Sequence, residues 1–151
     1  MSRVGVVCGL HRSGTTYIGE VLKHCENTLV LHEPFNYLTG HEKVSGWYPS
    51  VFNKKDQPDV ALLIDDVISF KGSLKKREGM YEGATGYLYH RVGGKSHLHW
   101  SYRSLQKKFG LVPESIIWKD PFCTFMSSYL TNELSIPVVM VMKHPCSFVY
   151  S

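Results

Sequence analysis

The sequence predicts an α/β fold, a three-layer arrangement with a central parallel sheet built around a phosphate-binding loop (a P-loop), and three observations predict it. Arg3-Val4-Gly5-Val6-Val7-Cys8 is a short β-branched apolar run of the kind that forms a buried parallel strand. A glycine-spaced turn, Gly9-Leu10-His11-Arg12-Ser13-Gly14-Thr15-Thr16, follows at once and leads into Tyr17 to Cys25, where Ile18, Val21 and Leu22 recur at helical spacing. Two later runs, Ser115-Ile116-Ile117-Trp118 and Ile136 to Met142, are apolar and end in Lys119-Asp120-Pro121 and Lys143-His144-Pro145.

In chain order, the elements are a strand from Arg3 to Cys8, a helix after the turn, and a second short strand, Thr28-Leu29-Val30-Leu31, ending at His32-Glu33-Pro34-Phe35. Asp59 to Phe70 carries Val60, Leu63, Ile64, Val67 and Ile68 at helical spacing, which predicts a packed amphipathic helix with Asp65 and Asp66 on its solvent side or margin. Gly40 to Gln57 and Gly79 to Trp100 are rich in Gly, Tyr, Trp, His and Lys without a period and read as long loops, whose aromatic rings suit the stacking of sugars or other polyhydroxyl compounds. Pro145 suits the first turn of a final helix carrying Ser147 and Ser151. That helix stops at Ser151 while Phe148 and Val149 still need neighbours, so the sequence reads as the N-terminal part of a single domain truncated at its C-terminus.

The turn at residues 9 to 16 has the chemistry of an anion cradle. Its two glycines reach backbone angles closed to other residues, and the first N–H groups of the following helix lack intrahelical partners and point into the turn. The helix dipole favours a phosphate or sulfonate there by roughly 0.3–2 kcal/mol. A nucleotide-hydrolysing loop places lysine after its second glycine, to reach the β- and γ-phosphates. Thr15 stands there instead, and Arg12 is the fixed cation of the turn. Parallel sheets bind ligands beyond the carboxyl ends of their strands, so Lys119 and Lys143 belong on the same rim.

These residues resemble the sulfotransferases that use 3′-phosphoadenosine 5′-phosphosulfate (PAPS), in particular the carbohydrate-type and bacterial members. Arg12-Ser13-Gly14-Thr15-Thr16 is similar to that family's loop for the 5′-phosphosulfate. The segment from Val138 to Ser151 is similar to its 3′-phosphate site, in which a strand ends in a basic residue and a serine follows eight positions later, as Ser151 follows Lys143. Lys119 lies 24 residues before Lys143, an interval similar to that between the family's active-site lysine strand and its 3′-phosphate strand. Two departures stand out: the family's arginine is replaced by Lys143, a point charge and not a bidentate fork, and Pro121 stands where soluble small-molecule members carry a catalytic histidine. His32-Glu33-Pro34-Phe35 looks instead like the Glu-Pro segment of the carbohydrate-type members, in which a carboxylate near this place is the general base.

The resemblance implies sulfuryl transfer from PAPS, as co-substrate, to an acceptor hydroxyl, with a carbohydrate or glycolipid favoured and no metal needed. In-line transfer of this kind requires cations on the transferring and leaving oxygens and a base for the incoming hydroxyl. Arg12 and Lys119 suit the first role and Thr15 and Thr16 the orientation of the phosphosulfate, while Glu33 suits the base if burial raises its pKa toward neutrality. His32 is the second candidate base, and strand alternation turns His32 and Glu33 to opposite faces. Two other classes share the first motif. A phosphate-loop nucleoside or nucleotide kinase is disfavoured by Thr15 and by the missing strand-borne aspartate for magnesium, whereas a non-catalytic phosphonucleotide-binding domain would need Arg12 but neither Glu33 nor Lys119.

Composition narrows the classes further. The 151 residues are 43% hydrophobic and 20% charged, enough for one core, and a formal net charge of +4 suits anionic ligands in a cleft better than a nucleic-acid surface. No apolar run reaches the roughly 18 residues of a membrane span, and the first strand begins too early to leave a signal peptide, so a cytoplasmic enzyme is expected. Cys8, Cys25, Cys123 and Cys146 lack metal or redox spacing and read as reduced thiols, with Cys146 expected to be buried. His97 and His99 could share a strand face, with no third ligand nearby.

Overall fold

The computed structural model describes residues 2–49, 51, 57–75, 100, 102–106, 108–111, 113–144 and 146. Its elements are β1 (Arg3–Gly9), α1 (Thr15–Leu22), β2 (Thr28–His32), α2 (Gln57–Ser69), β3 (Ser115–Lys119), a 3₁₀ segment (Pro121–Met126), α3 (Ser127–Asn132) and β4 (Val138–Val141). The four strands form one parallel sheet in the order β2-β3-β1-β4, so the expected α/β architecture holds for the described residues.

The path from β1 through α1 to β2 crosses β3, and the path from β3 through the 3₁₀ segment and α3 to β4 crosses β1 in the opposite direction. Right-handed crossovers in opposite directions lie on opposite faces of the sheet. Packing agrees. Val6, Cys8, Leu29, Leu31, Ile116 and Trp118 point to one face and form a single core with Val60, Leu63, Ile64 and Val67 of α2, Phe122 and Met126 of the 3₁₀ segment and Leu130 of α3. The other face carries Gly5, Val30, Ile117 and the stem of Lys119, and α1 lies against it.

Helix α1 begins two residues earlier than its apolar spacing predicts, because Gly14 takes a left-handed conformation (φ 98°) as its N-cap and Thr15 is already helical. Its buried residues are Thr15 and Gly19, one turn apart, while Val21, one of the apolar residues at helical spacing, is exposed. Gly19 explains that choice of face. A Cβ there would stand 2.9 Å from Cγ and 3.2 Å from Cβ of Lys119, so the absent side chain lets the helix rest on the lysine stem. The apolar run Ile136 to Met142 reads as a buried strand, but among the described residues β4 is an edge strand, with Val139 and Met140 exposed. Asp65 and Asp66 lie at the margin of α2 as expected, paired with Lys71 at 2.8 Å and Lys43 at 2.5 Å.

The 3₁₀ segment and α3 have no apolar period to announce them. Asp120 caps the former, its side chain accepting the Phe122 N–H, with Pro121 at the first position. The 40–49 loop folds over the same end of the molecule, where Trp47 and Tyr48 pack on Phe122 with ring centroids 5.1 and 5.2 Å away. Of the segment 79–100 only Trp100 lies among the described residues, and His97 and His99 fall outside them.

Replacing Gly19 by leucine should overpack the α1 face and lower stability by about 1–3 kcal/mol, although leucine is the better helix former. Urea unfolding measures it, and an unchanged or higher midpoint would show that α1 does not rest on Lys119.

Candidate functional site

The reversal in connection direction sets the place of the site. Adjacent strands β1 and β3 send their chains to opposite faces, which opens a crevice beyond their carboxyl ends. The 9–16 loop leaves β1 there, and Lys119 and Asp120 end β3 beside it.

Gly9 has φ 153°, and a Cβ on it would collide with the Val141 carbonyl oxygen and stand 2.8 Å from Ser13 Oγ. The loop therefore turns tightly against the end of β4. The Ser13 N–H donates to the Leu10 carbonyl (3.1 Å), Arg12 is left-handed (φ 64°) and exposed, and the Ile18 N–H closes the first helical bond on Gly14 (3.2 Å). No side chain caps the helix start, and the position of a Gly14 Cβ meets nothing within 4 Å. Ser13 Oγ is buried with no hydrogen-bond partner among the described residues. Thr15 is buried and Thr16 exposed. The His11 ring anchors the loop edge-on against Phe122 at 5.0 Å and Tyr48 at 6.0 Å.

Two strands bring the lysine and the carboxylate together. Lys119 pairs in register with Val7 of β1 and His32 of β2, and it is 2% exposed. Its Nζ donates to Glu33 Oε1 at 2.7 Å. Glu33 lies just past β2, its N–H donating to the Lys119 carbonyl (2.9 Å), and its second oxygen, Oε2, accepts from Asn36 Nδ2 (2.9 Å). Lys119 and Glu33, both read from the sequence as reaction residues, are thus direct partners.

Two expectations about Glu33 are corrected. Strand alternation does not separate it from His32, because Glu33 adopts a left-handed backbone (φ 49°) that ends the pleat, and His32 Nδ1 comes within 3.9 Å of Glu33 Oε1. Nor does burial raise its pKa toward neutrality. Burial does push the carboxyl up, but the hydrogen bonds from Lys119 and Asn36 outweigh it and hold Glu33 below the ordinary glutamate range. The His32 imidazole is lowered, by burial first and then by the charge of Lys119.

Asp120, not singled out from the sequence, is the most perturbed carboxylate of the site. It is fully buried, its Oδ2 accepts the Phe35 N–H at 2.7 Å and its Oδ1 the Phe122 N–H at 2.9 Å. Burial pushes its pKa up to about 7 against those two bonds, with Glu33 nearby adding to the rise. Its signal was present in the sequence, since Asp immediately before Pro is an N-cap followed by a first-position proline. Cys8 and Cys123 lie buried around it, both thiols raised by burial. All four cysteines are free, and Cys146 is exposed where burial was expected, as are Met142, Lys143 and His144 before it.

Lys143 is exposed two residues beyond β4, on the same rim as the loop, since Val141 pairs with Gly9. Ser151, its expected companion, lies outside the described residues. Among the described residues no three His, Cys, Asp or Glu side chains gather as a metal-ligand set, and no helix is long and apolar enough to cross a membrane. No protein-family model, curated protein or solved structure matches the chain, so the site rests on its own geometry.

The two carboxylates bend the pH dependence of stability in opposite directions. Asp120 has a folded pKa raised from 3.8 to about 7, so its contribution is full below 3.8 and lost as pH rises through about 7. Glu33 has a lowered folded pKa, so its contribution is present above 4.5 and lost as pH falls. Asp120 should therefore lower urea midpoints as pH rises from mildly acidic to neutral, against the opposite and smaller-range slope that the lowered imidazole of His32 adds below 6.5. That decline should flatten in Asp120→Asn and persist in Glu33→Gln; an equal decline in Asp120→Asn would assign it to another group.

Proposed function

We propose that the chain is a sulfotransferase that moves a sulfuryl group from PAPS to an acceptor hydroxyl, with a carbohydrate or glycolipid acceptor favoured by the likeness of Glu33-Pro34 to carbohydrate-type enzymes. The observation that carries the reading is the 2.7 Å Lys119–Glu33 pair, a cation and a base at the strand-end crevice beside an uncapped glycine loop.

The residues present suit such a donor. Among the described residues Ser13 Oγ is a buried hydroxyl without a partner and nothing fills the space over Gly14, into which the helix start directs N–H groups. Arg12, Ser13, Gly14, Thr15 and Thr16 would hold the 5′ end, and Lys143, with Ser151, the 3′-phosphate. PAPS when bound supplies the sulfuryl group, whose bond to the phosphate oxygen breaks as the acceptor oxygen attaches to sulfur.

The remaining work falls to the chain's own side chains. Arg12 and Lys119 hold the negative charge that gathers on the transferring and leaving oxygens. Glu33 takes the acceptor's proton on a carboxylate oxygen. Paired with Lys119, Glu33 is a carboxylate at neutral pH but a weak base. When an anion draws the Lys119 ammonium toward itself, the hydrogen bond that depresses Glu33 weakens and its proton affinity rises. Lysine recruitment and base activation are then one event.

Titration calorimetry tests the donor site: adenosine 3′,5′-bisphosphate should bind more tightly than ATP with magnesium, and the reverse order would sink the reading in favour of a kinase. Incubation with PAPS and a panel of hydroxyl acceptors should produce the mass gain of one sulfuryl group. Glu33→Gln keeps an acceptor for Lys119 and removes the base, so turnover should fall by about 10²–10⁴-fold with bisphosphate binding retained. Unchanged turnover would remove Glu33 from the reaction, and binding without transfer would leave a phosphonucleotide-binding domain.

A further inference from the structure

A buried carboxylate with no part in the chemistry above links three of the chain segments that build the rim. Asp120 Oδ2 accepts the N–H of Phe35, 85 residues away in sequence, and Oδ1 accepts the N–H of Phe122. Its own N–H donates to the Val7 carbonyl of β1 (2.9 Å), and the preceding carbonyl, that of Lys119, accepts the Glu33 N–H (2.9 Å). Residues 33 to 35 are therefore fastened to β3 at both ends, Glu33 by its N–H and Phe35 by the Asp120 carboxylate.

Between those two fastenings the chain must do something costly. Glu33 is a non-glycine residue in the left-handed region, a strained conformation that persists only where surrounding contacts over-determine it. The left-handed turn brings the Glu33 carboxylate back over β3 to Lys119 Nζ, where an extended residue would continue away from it. Pro34, which follows, disfavours a right-handed helical backbone at Glu33 and cannot itself offer an N–H to the clamp. The next available donor is Phe35, and Asp120 takes it.

We infer that Asp120 is the positioning residue of the site: by holding the Phe35 N–H from beneath, it keeps Glu33 in its left-handed turn and thereby sets the Glu33 carboxylate on Lys119. This role rests on the Proposed function only for its catalytic meaning; the geometry itself is independent of any substrate. The groups that face Asp120 are Glu33, Lys119, Cys8 and Cys123.

The test follows the Glu33 carboxyl carbon by NMR in the full 151-residue chain without nucleotide or acceptor, its resonance assigned by its loss in Glu33→Gln. In the unmodified chain Glu33 should titrate below the ordinary glutamate range. In Asp120→Asn, whose amide can accept from only one of the two N–H groups, it should titrate upward toward the ordinary value while the circular dichroism stays that of the unmodified chain. A folded Asp120→Asn protein whose Glu33 titrates as before would overturn the proposal and leave Asp120 as a turn cap alone.

If Asp120→Asn does not fold, the unmodified chain still decides. The Phe35 and Phe122 amide protons and the Glu33 carboxyl carbon should share one inflection as Asp120 takes up its proton, and independent inflections would overturn the proposal. Because no donor or acceptor is present, failure of this test is distinct from failure of the sulfotransferase reading, which depends on bisphosphate binding and transfer.

Discussion

Strand β3 is hydrogen-bonded between β1 and β2 in one register, with Lys119 level with Val7 on one side and His32 on the other. The placement of Lys119, Asp120 and Glu33 on the rim depends on that alignment. A slip by one residue would exchange the faces of Trp118 and Lys119, sending an indole into α1 and an ammonium into the apolar core. The register is protected by what each face already holds. Trp118 lies fully buried with Phe35 packed edge-on at 5.4 Å, and the lysine stem is fitted under Gly19 on the other side. Packing on the two faces thus secures the chemistry at the strand ends.

At those ends three ionisable side chains occupy consecutive or paired positions, and the balance among them is local. Lys119 is 2% exposed, and Glu33 is its carboxylate partner at 2.7 Å. Asp120, one residue on, turns to the opposite face and satisfies backbone donors. One cation with one dedicated counter-ion differs from the row of solvated lysines that strand-end composition suggests. Among the described residues, Lys143, two residues past the edge strand β4, is the strand-end lysine exposed in that way.

Much of the scaffold was legible because buried parallel strands are short apolar runs with abrupt ends. The four strands fall where Val, Ile and Leu cluster, and α2 where they recur every three or four residues. Legibility failed where a single backbone angle overrode a pattern. Gly14 in the left-handed region starts α1 early, and Glu33 in the same region brings two residues together that alternation would separate. Helical spacing in α1 identifies an apolar stripe but not a small-residue seam such as Thr15 and Gly19, the residues the helix buries. Lys119 and Glu33 were each visible as chemistry-bearing residues, but their pairing spans 86 positions and no local signal encodes it.

The aromatic packing over the rim has an optical consequence. Of the three tryptophans, Trp118 and Trp100 are buried, whereas Trp47 is 49% exposed and stacks on Phe122, the ring that also carries His11 of the glycine loop. The molecule therefore has one water-facing indole, set two contacts from the 9–16 loop, against a background of two enclosed ones. Its emission at long wavelength, and the part of its fluorescence open to an aqueous quencher, belong to that rim, which gives the loop a built-in light signal that needs no label.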